Sequence, residues 1–123
     1  MYKAILQLLQ SSALIHSPQI TDLQIYGQHA FRIKIRGTVT ETITFQVWLN
    51  HNASRTRYAY QLFSDNKPLL RWDNAPNHPD IQINFPHHFH DEQKQILASS
   101  LQGDPLQDLP IVLTSIKQYI AKL

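Results

Sequence analysis

Between Phe31 and Leu62 apolar and polar side chains alternate with a period of two, and that regularity confines this part of the chain to a half-buried sheet. Phe31, Ile33 and Ile35 alternate with Arg32, Lys34 and Arg36. Ile43, Phe45, Val47 and Leu49 alternate with Thr42, Thr44, Gln46 and Trp48, and a turn near Gly37 is expected to join the two strands. Tyr58, Tyr60 and Leu62 then alternate with Arg57, Ala59 and Gln61. Ser64-Asp65-Asn66-Lys67 supplies turn residues before a returning strand from Leu69 to Asp73. With a leading strand around Leu23 to Tyr26, four to five antiparallel strands are predicted.

The flanks carry a different period. Ile5, Leu6, Leu8 and Leu9 suit a short amphipathic helix over residues 2–10. Near the other end Leu109, Val112, Leu113, Ile116 and Ile120 recur at helical spacing, with Asp108 read as the N-cap and Pro110 in the first turn. Pro76, Pro79 and Pro86 forbid regular helix and predict a constrained loop. Asp91 to Gly103 stays open between a short helix and an edge strand at Ile96 and Leu97. The fold expected is α+β, an antiparallel sheet of four to five strands with an N-terminal and a C-terminal helix packed on one face. Residues 1–123 are expected to form a single domain, since 123 residues leave room for only one core.

The absence of cysteine excludes disulfides, thiolate metal ligands and a cysteine nucleophile, and makes the cytoplasm the expected location. No apolar run approaches the roughly 20 residues that span a bilayer. Gln7 and Gln10 interrupt the apolar start, which reads as a mature helix rather than a signal peptide. The formal net charge is only +2, but Phe31 to Trp72 holds seven basic residues against two acidic ones. That local excess suits phosphate or RNA binding, with Arg57, Arg32 and Lys34 as candidate contacts, and equally suits a solvated sheet face. Tyr58, Tyr60, Trp48 and Trp72 are expected in the core; a tyrosine hydroxyl facing the site and tryptophans stacking on bases are the alternatives.

Chemistry concentrates between Arg71 and His90. Four of the seven histidines (His78, His87, His88 and His90) fall within thirteen positions, beside Arg71, Asp73 and Asn74. Imidazole exchanges protons near neutrality, and guanidinium is a permanently charged fork for phosphate oxygens. Two histidines and an arginine suffice for metal-free RNA cleavage. If Phe85 to His90 is extended, His88 and His90 point to one side and His87 to the other. His88 and His90 are therefore the expected acid/base pair, Arg71 the phosphate ligand and Asp73 an orienting partner. His78, His87 and Asn74 are expected to bind substrate. No cofactor is required on this reading. The alternative is a divalent metal ion held by His88, His90 and His78, in a nuclease or nucleotide-modifying enzyme. A non-enzymatic module binding nucleic acid or a partner protein through the basic face, and a purely structural histidine loop at a homodimer interface, also stand.

Arg57-Tyr58-Ala59-Tyr60, then Leu70-Arg71-Trp72-Asp73-Asn74-Ala75-Pro76-Asn77-His78-Pro79, then Phe85-Pro86-His87-His88-Phe89-His90 together resemble the TumE-type toxin family of bacterial toxin–antitoxin systems. Its pattern is an aromatic strand, Arg-Tyr-Asp-Asn-Ala-Pro-His-His-Pro, and Phe-Pro-His-His-Lys-His. Trp72 replaces a tyrosine, Asn77 the first histidine and Phe89 a lysine, which removes one cation. The resemblance implies a toxin paired with an antitoxin that often carries a helix-turn-helix, acting through RNA.

Overall fold

The alternating segments pair, each with its neighbour in sequence, into one antiparallel sheet in the computed structural model, which describes residues 1–123. Helix α1 (Tyr2–Ser11) precedes strands β1 (His16–Ile25), β2 (Phe31–Thr38), β3 (Ile43–His51), β4 (Thr56–Ser64), β5 (Lys67–Asp73), β6 (His88–His90) and β7 (Ile96–Ala98); helix α2 (Pro105–Ala121) follows. Strand order is the chain order, β1 through β7. No helix is long and apolar enough to cross a membrane.

The sheet has seven strands rather than four to five, and the extra ones escape pattern reading for identifiable reasons. β6 and β7 have three residues each, too few to show a period. β1 is longer than the expected Leu23–Tyr26 strand, and register shifts between His16 and Gln19 and between Ile20 and Asp22 break its alternation. The segment left open at Ile96 and Leu97 is thus an edge strand. The turn expected near Gly37 comes later: β2 runs on to Thr38, and the Val39 and Thr40 N–H groups donate to the Ile43 carbonyl.

One sheet face is apolar throughout. Ile33, Ile35, Phe45, Val47, Leu49, Tyr58, Tyr60, Leu62, Leu70 and Trp72 are buried on it, joined in a single core by Ile5 and Leu9 of α1 and by Leu109, Val112 and Ile116 of α2. Tyr58, Tyr60 and Trp72 lie in this core as expected. Trp48 does not; it sits half-buried in the polar phase of β3, across from Lys34 and Ala59.

The N-cap of α2 lies four residues before the expected one. Asp104 is the N-cap, accepting from the Leu106 N–H at 3.1 Å, and Pro105 occupies the first helical position. Asp108 is instead buried one turn inside, where its carboxylate accepts from the N–H groups of Gln102 and Gly103. Pro110 consequently lies within the helix, at an exposed position. Asp104-Pro105 and Asp108-Pro110 carry nearly the same start signal; the earlier one caps the helix, and Asp108 and Leu109 are buried within it.

Gly37 continues the apolar phase of β2 directly under Ile15. A Cβ there would stand 2.5 Å from Ile15 Cγ2 and 3.3 Å from the His16 carbonyl oxygen. Gly37→Ala is expected to destabilise the fold by about 1–3 kcal/mol, the usual cost of an overpacked site, measured as a lowered urea midpoint with an unchanged slope. Unaltered stability would mean that β1 is free to move away from β2 at this point.

Candidate active site

β5 and β6 pair in register, with Arg71 opposite His90, Trp72 opposite Phe89 and Asp73 opposite His88. Residues opposite each other share a sheet face, so Arg71, Asp73, His88 and His90 all project from the face away from the core. Their convergence is centred on the buried Asp73 carboxylate. Its Oδ1 lies 2.8 Å from His88 Nε2 and accepts from the Ala75 N–H at 3.1 Å; its Oδ2 takes a short hydrogen bond from Arg71 Nε and lies 3.5 Å from His90 Nε2.

The two strand histidines differ in access. The His88 side chain is only 3% exposed, and its Nδ1 faces the Pro86 carbonyl at 2.9 Å while Nε2 faces Asp73. Both ring nitrogens therefore face oxygen atoms of the protein itself. The His90 side chain is 29% exposed. Burial holds its imidazole below the ordinary value of 6.5 against the pull of Asp73, and His88, Arg71 and His78 reinforce the lowering.

His78 reaches this centre from the proline-rich loop, its ring 4.8 Å from that of His88 and 5.8 Å from that of His90. The loop is anchored at two points. The Asn74 amide accepts from the Tyr58 N–H at 3.0 Å and donates to the Thr56 carbonyl at 2.7 Å, while Asn84 Nδ2 donates to the carbonyls of Ser99 and Leu101. Asn74 therefore has its side chain engaged within the protein, and Arg57 donates to the Asn74 carbonyl at 3.0 Å. A pocket lined in part by Gln61, Arg71, His90 and Lys94 opens beside the cluster.

His87 lies apart. It projects to the core side, where Nδ1 meets the Tyr58 hydroxyl at 2.8 Å and its ring stacks on the phenol. Burial pushes the Tyr58 phenol up, so the hydroxyl stays protonated, and burial also holds the His87 imidazole below 6.5. Arg32 and Lys34 share the polar face with the cluster but belong to β2, three strands from β5, or about 14 Å at the usual strand spacing. Arg32 is paired with Asp22 at 3.3 Å.

A metal ion would draw on His78, His88 and His90, whose candidate ligand nitrogens all lie within 4.8 Å of one another. These are suitable donors for zinc, although His88 Nε2 would have to exchange Asp73 for the ion.

The family described as Toxin TumE matches residues 5–120 of the 123. The chain belongs to that family. No curated protein and no solved structure matches it. As a TumE-family chain it is a toxin of a toxin–antitoxin system, and its partner is an antitoxin. Two members of its polar face were not expected at the site. Gln46 and Gln61 complete a cross-strand row Arg36–Gln46–Gln61–Arg71–His90. Their placement opposite the apolar phase was visible, but their alignment with Arg71 depends on register across three strand pairs.

Two outcomes follow for this TumE-family site. Asp73→Ala strips a buried partner from His88 and is expected to cost about 3–5 kcal/mol, whereas Arg71→Ala, at a side chain 41% exposed, should cost under about 1 kcal/mol; urea denaturation of both variants decides. Separately, His87 and His90 bind a proton more weakly in the folded chain than in the unfolded one. The unfolded state therefore takes up the extra protons as pH falls through 6.5, and stability drops on that side while being fully present above it. A His87→Gln/His90→Gln chain should show a flatter fall in urea midpoint between about pH 7.5 and pH 5.5; an unchanged fall would assign it to other groups.

Proposed function

We propose that this toxin is a metal-independent endoribonuclease acting on cytoplasmic RNA, held in check by an antitoxin of the helix-turn-helix type. The observation that carries the reading is the meeting of two accessible imidazoles, His78 and His90, beside the Arg71 guanidinium, with Asp73 and His88 beneath them. His90 is the base: held neutral near pH 7, it takes the proton of a ribose 2′-hydroxyl. The 2′-oxygen attacks the adjacent phosphorus, and the bond from phosphorus to the 5′-oxygen breaks. That leaving oxygen takes a proton from His78, giving a 2′,3′-cyclic phosphate and a free 5′-hydroxyl. Arg71 places a fixed positive charge against the phosphorane, and Asp73 orients both Arg71 and His90.

His88, expected as a member of the acid/base pair, is a positioning residue on this reading. Its nitrogens are committed to Pro86 and Asp73, and its side chain has almost no exposure. Asn74 and His87, expected at the substrate, support the loop and the core side instead. One observation favours a second reading, a zinc-dependent nuclease: three imidazoles close enough to share one ion.

A labelled RNA incubated with the purified chain, with and without EDTA, separates the two. Cleavage that survives EDTA and leaves 2′,3′-cyclic ends is expected, with His90→Ala and His78→Ala each slowing it by roughly 10²–10⁴-fold. Arg71→Ala is expected to slow it comparably, the loss typical of one transition-state charge contact. Loss of cleavage in EDTA, restored by zinc, would replace this reading with the metal one. Full activity in folded His90→Ala protein would refute both.

A further inference from the structure

The site occupies one end of a continuous polar sheet face. A second cross-strand row, Lys34–Trp48–Ala59–Asp73–His88, runs beside the row from Arg36 to His90. Trp48 is the unusual member. It is half-buried on the polar face, while the other tryptophan, Trp72, is in the core. The aromatic contacts of the chain pair Tyr2 with Phe31, Tyr58 with Tyr60 and Trp72 with Phe89, and leave Trp48 without a ring partner. On one side of it stands a cation, Lys34, which takes part in no ion pair; on the other the small Ala59 leaves no bulky side chain before Asp73. Arg36, in the neighbouring row, lies over the Phe63 ring with its charge on the same face. A large flat ring with one cation directly across from it and a second one row away, about two strand spacings or 10 Å from the Arg71–Asp73 pair, matches the needs of an unpaired base and its phosphates.

We propose that this face is a platform for single-stranded RNA, with one base stacked on Trp48 and the adjoining phosphates beside Lys34 and Arg36, so that the strand leads to Arg71. The inference rests on the ribonuclease reading for where the strand ends, and on Trp48 and its cations for how it is held. A duplex hides both faces of each base against its neighbours, so only an unpaired strand can offer a base to the ring.

The test uses the full-length His90→Ala chain, which should bind RNA without cutting it, titrated with a labelled single-stranded oligoribonucleotide and with the same sequence as a duplex. Tighter binding of the single strand, with quenching of tryptophan emission, is expected. Adding Trp48→Leu should weaken binding roughly 10- to 100-fold, Trp48→Phe should recover most of it, and Lys34→Gln should reduce the salt slope by about one. Equal affinity for duplex and single strand, or no quenching at saturating RNA, overturns the proposal, and the quenching measurement holds even if Trp48→Leu does not fold. In the chain with His90 intact, cleavage indifferent to Trp48→Leu would sink the platform and leave the chemistry standing. Trp48-dependent binding with no cleavage would sink the chemistry and leave the platform.

Discussion

The Asp73 carboxylate divides its two oxygens between a backbone N–H, two imidazoles and a guanidinium while itself almost wholly buried. A carboxylate removed from water must find such partners, because an unpartnered one costs several kcal/mol. This requirement also sets register. β6 has three residues, and its pairing with β5 offers little backbone hydrogen bonding. A slip by one residue would send His88 and His90 into the core and Phe89 out to the polar face. Asp73 on one face and the Trp72–Phe89 ring contact on the other oppose that slip together.

The sheet thereby separates two kinds of histidine chemistry that adjoin in sequence. His87 and His88 are neighbours, yet one lies against the Tyr58 phenol on the core side and the other against Asp73 on the polar side. On the core side Tyr58, Tyr60 and His87 stack as a run of rings whose burial keeps the phenols protonated and the imidazole neutral. On the polar side an imidazole can gain and lose charge next to a fixed anion and a fixed cation.

How much of this could be read from the residues depends on how local the signal was. The alternation through β2, β3 and β4 named both the strands and their faces, because half-burial imposes a period of two wherever a strand is long enough. The alternation of His87, His88 and His90 about an extended backbone was visible for the same reason. What failed to show was set by distant parts of the chain. Trp48 reads as a core residue by its size, and only the phase of β3 over nine residues puts it outside. The start of α2 was read at Asp108, one turn too late, because the Asp104-Pro105 signal went unread; Asp108 and Leu109 are buried inside the helix. The committed nitrogens of His88 depend on the Pro86 carbonyl, a contact fixed by the loop path rather than by composition.

Because each strand lies beside its sequence neighbour, the order of the strands across the sheet is the order in which they are synthesised. A chain leaving the ribosome can add hairpin to hairpin with short loops to close, so contacts form between nearby residues first. By the end of β5 the chain already contains Lys34, Arg36, Trp48 and Arg71. The histidines arrive later, and α2, which supplies Leu109, Val112 and Ile116 to the core, arrives last. The residues of the polar surface thus precede the histidine cluster along the chain, and the helix that closes the core beneath both comes last.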